Sequence, residues 1–435
     1  MAIRLQDTTE RFFNELRRIL DIYLDGEITM FSVDDRLREL ETEYSQFQVI
    51  VGLNKIGFNT FTEQEQICML LMLQNVYLNG ITPTDFGNYS YSDEYKKICE
   101  GKNSLLDRGL VRLAAQDTAN PERNAGRKEQ IILTPDTCGK IFYGMKNIIS
   151  YEKVAKHTEV IKASTIDVKE LYFENDNLND IEKLYKIISA DNYKNVIDRL
   201  KAMKRRTSIS CLFYGSPGTG KTELAKQLAR ESGRDILIAD VSKLHSSFTG
   251  DTEKNYRELF LGYRYLEKIS ENAPILLFNE ADGIISKRGD VIRQAIDKIA
   301  NRIQNILLQE LEDFEGIFIA TTNLTQNIDS AFERRLLFKI EFKKPGVEVR
   351  KKIWKNMIPW LDNYQIYSLS TQYKFSGGQI ENIATRQEID YVIDGAFPSF
   401  AKILEYCNLE AFNKQSSNTV GYMSGCSMSV NETLH

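Results

Sequence analysis

The residues with the clearest pattern for binding a ligand form an eight-residue segment that reads G-x-x-x-x-G-K-[ST]. Its members are Gly215, Ser216, Pro217, Gly218, Thr219, Gly220, Lys221 and Thr222. Glycines let backbone N–H groups turn inward around phosphate oxygens, and the start of the following helix adds partial positive charge. In such loops the lysine reaches the β- and γ-phosphates and the threonine hydroxyl ligates Mg²⁺. The segment therefore predicts a nucleotide site.

Two other apolar runs end in polar residues that such a site needs. Residues 274–278 lead into Asn279 and Glu280, and residues 316–320 lead into Thr321, Thr322 and Asn323. A carboxylate at a strand end beside the γ-phosphate can orient and polarise the attacking water. We assign this role of general base to Glu280.

These residues have to be positioned by strands and helices. A β-like run at 209–214 leads straight into the glycine-rich segment, and a helix-like run follows it from residue 223. Strand, loop and helix in this order are the setting in which a phosphate-binding loop works.

Together the motifs resemble the AAA+ ATPases over residues 172–407, and within them the AAA proteins proper, which include katanin, spastin and stand-alone bacterial relatives. The resemblance implies an α/β P-loop core with a parallel sheet in the order 5-1-4-3-2 and a helical lid. It implies ATP hydrolysis with Mg²⁺, with Asn323 placing the lytic water. Arg334 and Arg335 fall on the segment that reaches the γ-phosphate of an adjacent subunit, which implies a ring or helical homo-oligomer, most simply a hexamer.

Two further segments match the family in part. Phe248-Thr249-Gly250 resembles the substrate-gripping pore loop, although Thr249 replaces an aliphatic residue, which weakens the expected grip. Gly377 and Gly378 resemble the start of the lid helix that closes on the nucleotide, because glycine allows close backbone approach to a ligand. Gln379 stands where other AAA+ clades carry an arginine.

One departure from the family concerns Mg²⁺. The family has aspartate where this chain has Asn279, and the amide keeps an acceptor oxygen but loses the charge. The expected metal set is Thr222, with Asn279 and Glu280 acting through water. We expect weaker Mg²⁺ binding and slower hydrolysis.

Composition excludes several classes of protein. The 435 residues are 42% hydrophobic and 27% charged, with a formal charge of −5. No apolar run approaches the roughly 18–20 residues that cross a bilayer, and the first residues lack a signal-peptide core. The six cysteines and three histidines lack zinc-ligand spacing. We expect a cytoplasmic protein with reduced thiols.

The chain is long enough for several domains. The sequence predicts N-terminal helices at 1–60, a winged-helix-like domain at 61–145, a linker with helices at 146–205, the ATPase core at 206–345, a helical lid at 346–410 and a disordered tail at 411–435. The first helices carry apolar stripes that must be buried within the domain, as we favour, or against a neighbouring subunit.

The sequence says less about the process to which ATP hydrolysis is coupled. Residues 60–145 contain 9 Lys/Arg and 11 Asp/Glu, and this acidic balance disfavours a DNA-reading winged helix. The sequence favours a motor that remodels a protein substrate. The alternatives are a nucleic-acid-associated ATPase and, because of Asn279, a slow or non-hydrolysing nucleotide-gated scaffold.

Overall fold

The computed structural model describes residues 2–25, 30–79, 96–98, 100, 102–113, 131–145, 158–244, 249–286 and 295–416. These residues divide into two compact units. The first unit takes in 1–169, 180–214 and 222–340, and the second takes in 170–179, 215–221 and 341–435, in each case through the described residues. Each unit has its own hydrophobic core.

The described residues form eight strands and eighteen α-helices. The strands are β1 Val111–Leu113, β2 Ile131–Leu133, β3 Thr158–Ile161, β4 Ser208–Gly215, β5 Ile236–Asp240, β6 Ile275–Asn279, β7 Gly316–Thr322 and β8 Phe338–Phe342. The helices are α1 Ala2–Leu24, α2 Met30–Glu43, α3 Gln48–Ile56, α4 Glu63–Asn79, α5 Ser104–Asp107, α6 Pro135–Phe142, α7 Asn175–Ile188, α8 Ala190–Ala202, α9 Lys221–Glu231, α10 Val241–Leu244, α11 Thr249–Ile269, α12 Asp282–Ile285, α13 Ala295–Glu312, α14 Ser330–Glu333, α15 Val347–Met357, α16 Asn363–Gln372, α17 Gly377–Asp394 and α18 Phe400–Ser416.

The central sheet has six strands in the order β3-β5-β6-β7-β4-β8. Its last five strands reproduce the predicted order 5-1-4-3-2, and β4 through β7 pair in parallel. Strand β3, which the sequence did not predict, pairs antiparallel with β5 at one edge. The near-continuous apolar runs of β6 and β7 reflect burial on both faces of a parallel sheet. Parallel pairing brings the carboxyl ends of β4, β6 and β7 to the same edge.

The N-terminal helices bury their apolar stripes within the chain. Phe12, Phe13 and Leu16 of α1, and Leu37 and Leu40 of α2, are each less than a tenth exposed. The intramolecular alternative is therefore confirmed for these two helices.

A capping box starts helix α4. The Thr62 N–H donates to the Glu65 carboxylate at 2.9 Å, and the Glu65 N–H donates to the Thr62 hydroxyl at 3.3 Å. Two N–H groups that the first helical turn cannot satisfy are thereby paired, as the sequence predicts.

The region predicted to be winged-helix-like contains the two expected strands. β1 and β2 pair antiparallel, with Val111 opposite Leu133, and Thr134 caps the helix α6 that follows. Residues 80–95 and 114–130 lie outside the described residues, so the winged helix itself stays a prediction.

The N-terminal region packs directly on the ATPase core through α6 and α11. The Tyr265 hydroxyl donates to the Leu133 carbonyl at 2.5 Å, and the Gly144 N–H donates to the Ile269 carbonyl at 2.8 Å. A Cβ on Gly139 would lie 2.8 Å from Lys268 Cβ, so glycine allows this close approach. The two regions share one hydrophobic core.

The second unit is mainly helical. Helices α15 to α18 enclose a core that includes Trp354, Leu369 and Ile380. Helix α18 continues to Ser416, so the tail predicted from residue 411 begins with ordered helix. Residues 417–435 lie outside the described residues. No described helix is both long and apolar enough to cross a membrane.

Candidate active site

The glycine-rich loop has the backbone conformation that its glycines predict. Gly215, Gly218 and Gly220 have φ values of 133°, 71° and 93°, a region that favours glycine. A Cβ on Gly215 would lie 2.3 Å from the carbonyl oxygen of Phe342. The first glycine is therefore required by both conformation and space.

Lys221 closes this loop in the structure. Its ammonium donates to the carbonyls of Gly215 at 2.9 Å and Ser216 at 2.8 Å, and the side chain is only 7% exposed. The Thr219 hydroxyl also donates to the Ser216 carbonyl, at 2.7 Å. Because Lys221 is also the first residue of α9, its charge adds to the positive end of the helix dipole. The loop is a favourable place for phosphate.

The lid helix begins against the same loop. The Gly378 N–H donates to the Gly218 carbonyl at 2.9 Å, and a Cβ on Gly378 would lie 3.2 Å from Gly218 Cα. Ser376 and Gln379 form the capping box of α17, with the Gln379 amide oxygen accepting from the Ser376 N–H at 3.2 Å. Gln379 thus has a structural role at the position where other clades carry an arginine.

Asn279 is the acceptor for two hydroxyl groups. The Thr222 hydroxyl donates to its Oδ1 at 2.7 Å, and the Thr321 hydroxyl donates to the same oxygen at 3.0 Å. Asn279 therefore provides an acceptor oxygen for both hydroxyls, although it carries no charge. Because the Thr222 hydroxyl is the donor in its hydrogen bond to Asn279, the lone pairs of the hydroxyl oxygen remain available to a cation. Hydroxyl and amide oxygens are the hard ligands that Mg²⁺ prefers, so these residues fit that ion.

Substituting aspartate for Asn279 tests what the missing charge costs. We expect Asn279→Asp to lower the Mg²⁺ concentration for half-maximal ATP hydrolysis about fivefold, from ~1 kcal/mol of added attraction in a partly screened site. Titrating Mg²⁺ at saturating ATP measures this. Asn363→Asp adds the same charge at an exposed position of the other unit and should leave the titration unchanged.

The rate of ATP hydrolysis by Asn279→Asp at saturating Mg²⁺ distinguishes two explanations for the asparagine at this position. Little change in this rate would favour an active motor whose only loss is in Mg²⁺ affinity. A large gain would favour a protein tuned to hydrolyse slowly, and an unchanged Mg²⁺ titration would contradict the electrostatic argument.

Glu280 has a strained backbone and an exposed side chain. Its φ is 54°, which a non-glycine residue adopts at a cost of about 1–2 kcal/mol. The Glu280 N–H donates to the Thr321 hydroxyl at 3.0 Å, which anchors this conformation. Its carboxylate forms no hydrogen bond or ion pair with any described residue. The carboxylate is therefore available to a water molecule.

Asn323 follows β7, next to the strand that carries Glu280. The paired residues Phe278 and Ala320 put the ends of β6 and β7 side by side. The Asn323 N–H donates to the Asp282 carboxylate at 2.9 Å, and its side chain is exposed. Of the residues predicted from the sequence, Thr222, Asn279, Glu280 and Asn323 thus lie along one sheet edge.

The two neighbouring arginines differ in their surroundings. Arg335 is paired with the Glu312 carboxylate, donates to the Ala331 carbonyl at 2.9 Å, and has a side chain only 15% exposed. Arg334 is exposed and has no ion pair among the residues that the model describes. Only Arg334 therefore presents its guanidinium to the outside of the chain.

The predicted pore loop is only partly visible. Phe248 lies outside the described residues, and Thr249 and Gly250 begin helix α11. The role of Phe248, Thr249 and Gly250 stays a prediction.

Comparison with known proteins decides the family. Residues 211–345 match the model of the ATPase family associated with various cellular activities (AAA). Residues 211–345 form an AAA+ ATPase domain. This domain places the chain among the ATP-binding proteins of an ATP-hydrolysing family, and the matched residues include β4 from residue 211 onward, the glycine-rich loop, and the ends of β6 and β7.

Several individual proteins are similar to this AAA+ chain. It is 27% identical over 283 residues to a putative 26S proteasome regulatory subunit homolog of Methanocaldococcus jannaschii, covering 64% of this chain and 68% of that protein. It is 34% identical over 175 residues to a proteasome-associated ATPase of Thermobifida fusca (36% of this chain, 29% of that protein). It is 30% identical over 195 residues to a katanin p60 ATPase-containing subunit A1 of Strongylocentrotus purpuratus (41% of this chain, 36% of that protein). The chain thus spans about two thirds of the first relative and about a third of the other two.

Sequence reasoning assigned no role to two residues of this AAA+ site. Thr321 bonds Asn279 and the Glu280 backbone, and Asp282 bonds the turn that carries Asn323. A second acid two residues after Glu280 and a hydroxyl at the end of the neighbouring strand were visible in the sequence. Their partners became apparent only from the register of β6 and β7.

Proposed function

We propose that this AAA+ chain is a Mg²⁺-dependent ATPase that acts as a homo-oligomer, most simply a hexamer, and remodels a protein substrate. The observation that supports the ATPase best is the set of polar residues at the ends of β6 and β7. There Asn279 accepts from the Thr222 and Thr321 hydroxyls while the Glu280 carboxylate stays exposed. This arrangement supports hydrolysis even though position 279 carries an amide in place of a carboxylate.

In the proposed reaction, a water oxygen attacks the γ-phosphorus of ATP. Its proton passes to the Glu280 carboxylate, and the bond from the γ-phosphorus to the bridging oxygen breaks to give ADP and phosphate. The Asn323 amide would orient the water. Lys221 and the N–H groups of residues 215–220 would hold the phosphate oxygens.

Mg²⁺ fits the oxygen donors of this chain. When bound, it neutralises charge on the β- and γ-phosphate oxygens. Thr222 would ligate it directly, and Asn279 and Glu280 would hold its water ligands. The hydrogen bond from Thr222 to Asn279 would keep the hydroxyl turned so that its lone pairs face the ion.

A homo-oligomer is proposed because one of the two arginines forms no ion pair with any described residue. Arg334 is exposed without an ion pair among the described residues, whereas Arg335 is bound to Glu312. We therefore assign to Arg334 the role of stabilising transition-state charge in an adjacent subunit, and to Arg335 a structural role. A head-to-tail arrangement that closes on itself gives a ring.

A protein substrate is favoured over nucleic acid. Relatives are named as proteasome-associated and proteasome regulatory ATPases, and residues 60–145 have an acidic balance. Phe248, Thr249 and Gly250 would contact the substrate. The cytoplasm is the proposed compartment, since the four described cysteines are buried and form no disulfide among the described residues.

Steady-state ATP hydrolysis against protein concentration tests the proposal, with Lys221→Ala as the blank. We expect the rate per subunit to rise with concentration, because subunits complete each other's sites. We also expect an unfolded protein to stimulate the rate and DNA to leave it unchanged. Stimulation by DNA alone would favour the nucleic-acid alternative. If ATP binds but is hydrolysed no faster than by Lys221→Ala, the motor function is contradicted and a nucleotide-gated scaffold is favoured.

A further inference from the structure

Asp282 begins helix α12, three residues after the end of β6. Its Oδ1 accepts two hydrogen bonds from the neighbouring strand, one from the Thr322 hydroxyl and one from the Asn323 N–H at 2.9 Å. Neither bond is local in sequence, because about forty residues separate the partners. The carboxylate therefore ties the turn after β7 to the end of β6.

The Thr322 hydroxyl extends this connection. It donates to Asp282 and accepts from the Leu324 N–H at 3.0 Å, and the Thr322 side chain is fully buried. Asp282 thus holds Thr322 and the Asn323 backbone directly, and Leu324 through the Thr322 hydroxyl. Because three successive residues of this turn are held by hydrogen bonds, the exposed Asn323 side chain has few orientations.

The two carboxylates near the end of β6 have different surroundings. Glu280 makes no side-chain hydrogen bond with a described residue, whereas the Asp282 oxygen is occupied by an N–H and an O–H donor. Hydrogen bonds to a charged acceptor are stronger than neutral ones. One carboxylate is available to water and the other is committed to the protein.

We propose that Asp282 is a positioning residue for ATP hydrolysis, acting through Asn323 and touching neither water nor phosphate. This inference rests on the proposed function, since Asn323 orients the lytic water only in an enzyme that hydrolyses ATP. Loss of the carboxylate frees the turn, spreads the Asn323 amide over several orientations and lowers kcat. The phosphate-binding loop is untouched, so ATP affinity is kept.

A double-mutant cycle tests the coupling. We expect Asp282→Ala to lower kcat about 30-fold, equivalent to ~2 kcal/mol, with KM and the binding of a fluorescent ATP analogue within about twofold of the parent. Asp282→Asn, which keeps an acceptor oxygen, should recover part of the rate. Combining Asp282→Ala with Asn323→Ala should be no slower than Asn323→Ala alone. Asp313→Ala, which removes an exposed aspartate of the same unit, is the matched control and should leave kcat unchanged.

Multiplying effects in the double variant, or an unchanged kcat in Asp282→Ala, would overturn the proposal. If Asp282→Ala does not fold, Thr322→Val removes the hydroxyl contacts while keeping a similar shape, and the cycle is repeated with it. Amide hydrogen exchange separates this inference from the proposed function. Faster exchange of the Asn323 N–H in Asp282→Ala is expected even if the parent hydrolyses no ATP, and unchanged exchange would contradict the contact itself.

Discussion

Glu280→Gln should abolish steady-state ATP hydrolysis while leaving ATP bound. The amide fills the same space and keeps the Glu280 N–H bonded to Thr321, but it cannot take a proton from water. Losing a general base typically costs about 10²–10⁴ in rate, so we expect kcat to fall at least ~100-fold. Phosphate release at saturating ATP measures the rate, and a fluorescent ATP analogue measures binding.

The matched control for this variant is Glu159→Gln. Glu159 is an exposed carboxylate on the edge strand β3 and makes no contact with the candidate site. Its variant should hydrolyse ATP at the parent rate. A Glu280→Gln protein that kept more than about a tenth of the parent rate would show that another group accepts the proton.

Arg334→Ala should lower kcat about 10³-fold, because an arginine supplied to a phosphoryl-transfer site usually raises the rate by at least this factor. Because Arg334 is exposed and forms no ion pair among the described residues, the melting temperature should not change. Arg335→Ala should act differently. It leaves Glu312 without its partner and removes a bond to the Ala331 carbonyl, so we expect a lower melting temperature and a smaller loss of rate.

Mixing two inactive variants tests whether Arg334 acts between subunits. Arg334→Ala keeps an intact phosphate-binding loop, and Lys221→Ala keeps an intact Arg334. In a random 1:1 oligomer about a quarter of the sites combine one good loop with one good arginine from the neighbour. We expect the mixture to regain activity that neither variant has alone. No recovery, with subunit exchange verified by a fluorescent label, would mean that Arg334 does not act between subunits.

Local motifs made much of the site predictable. The glycines at 215, 218 and 220 were expected to let the backbone turn inward, and all three have positive φ values. A strand before this glycine-rich loop and a helix after it were expected from the order of the apolar and polar runs, and β4 and α9 occupy these places. The capping box of Thr62 and Glu65 followed from a spacing of three residues. Each of these features depends on short-range geometry.

Other features depend on partners far away in the chain. The bond of Arg335 to Glu312 spans 23 residues, so two adjacent arginines looked equivalent in sequence but are not. The bond from Asp282 to Asn323 spans 41 residues, and the bond from Tyr265 to Leu133 spans 132. No spacing rule links residues at such separations, because their approach is set by strand register and helix packing.

The sequence by itself determined the phosphate-binding loop and the polar residues at the strand ends, since each follows from a local pattern, whereas the order of the five core strands was implied by the family resemblance. Only the tertiary structure decided which carboxylate has no partner among the described residues and which arginine is exposed. It also decided that the N-terminal region packs on the core through α6 and α11, where Gly139 lies against Lys268. These outcomes are set by which buried groups find hydrogen-bond partners when the chain folds, because an unpaired buried polar group is costly.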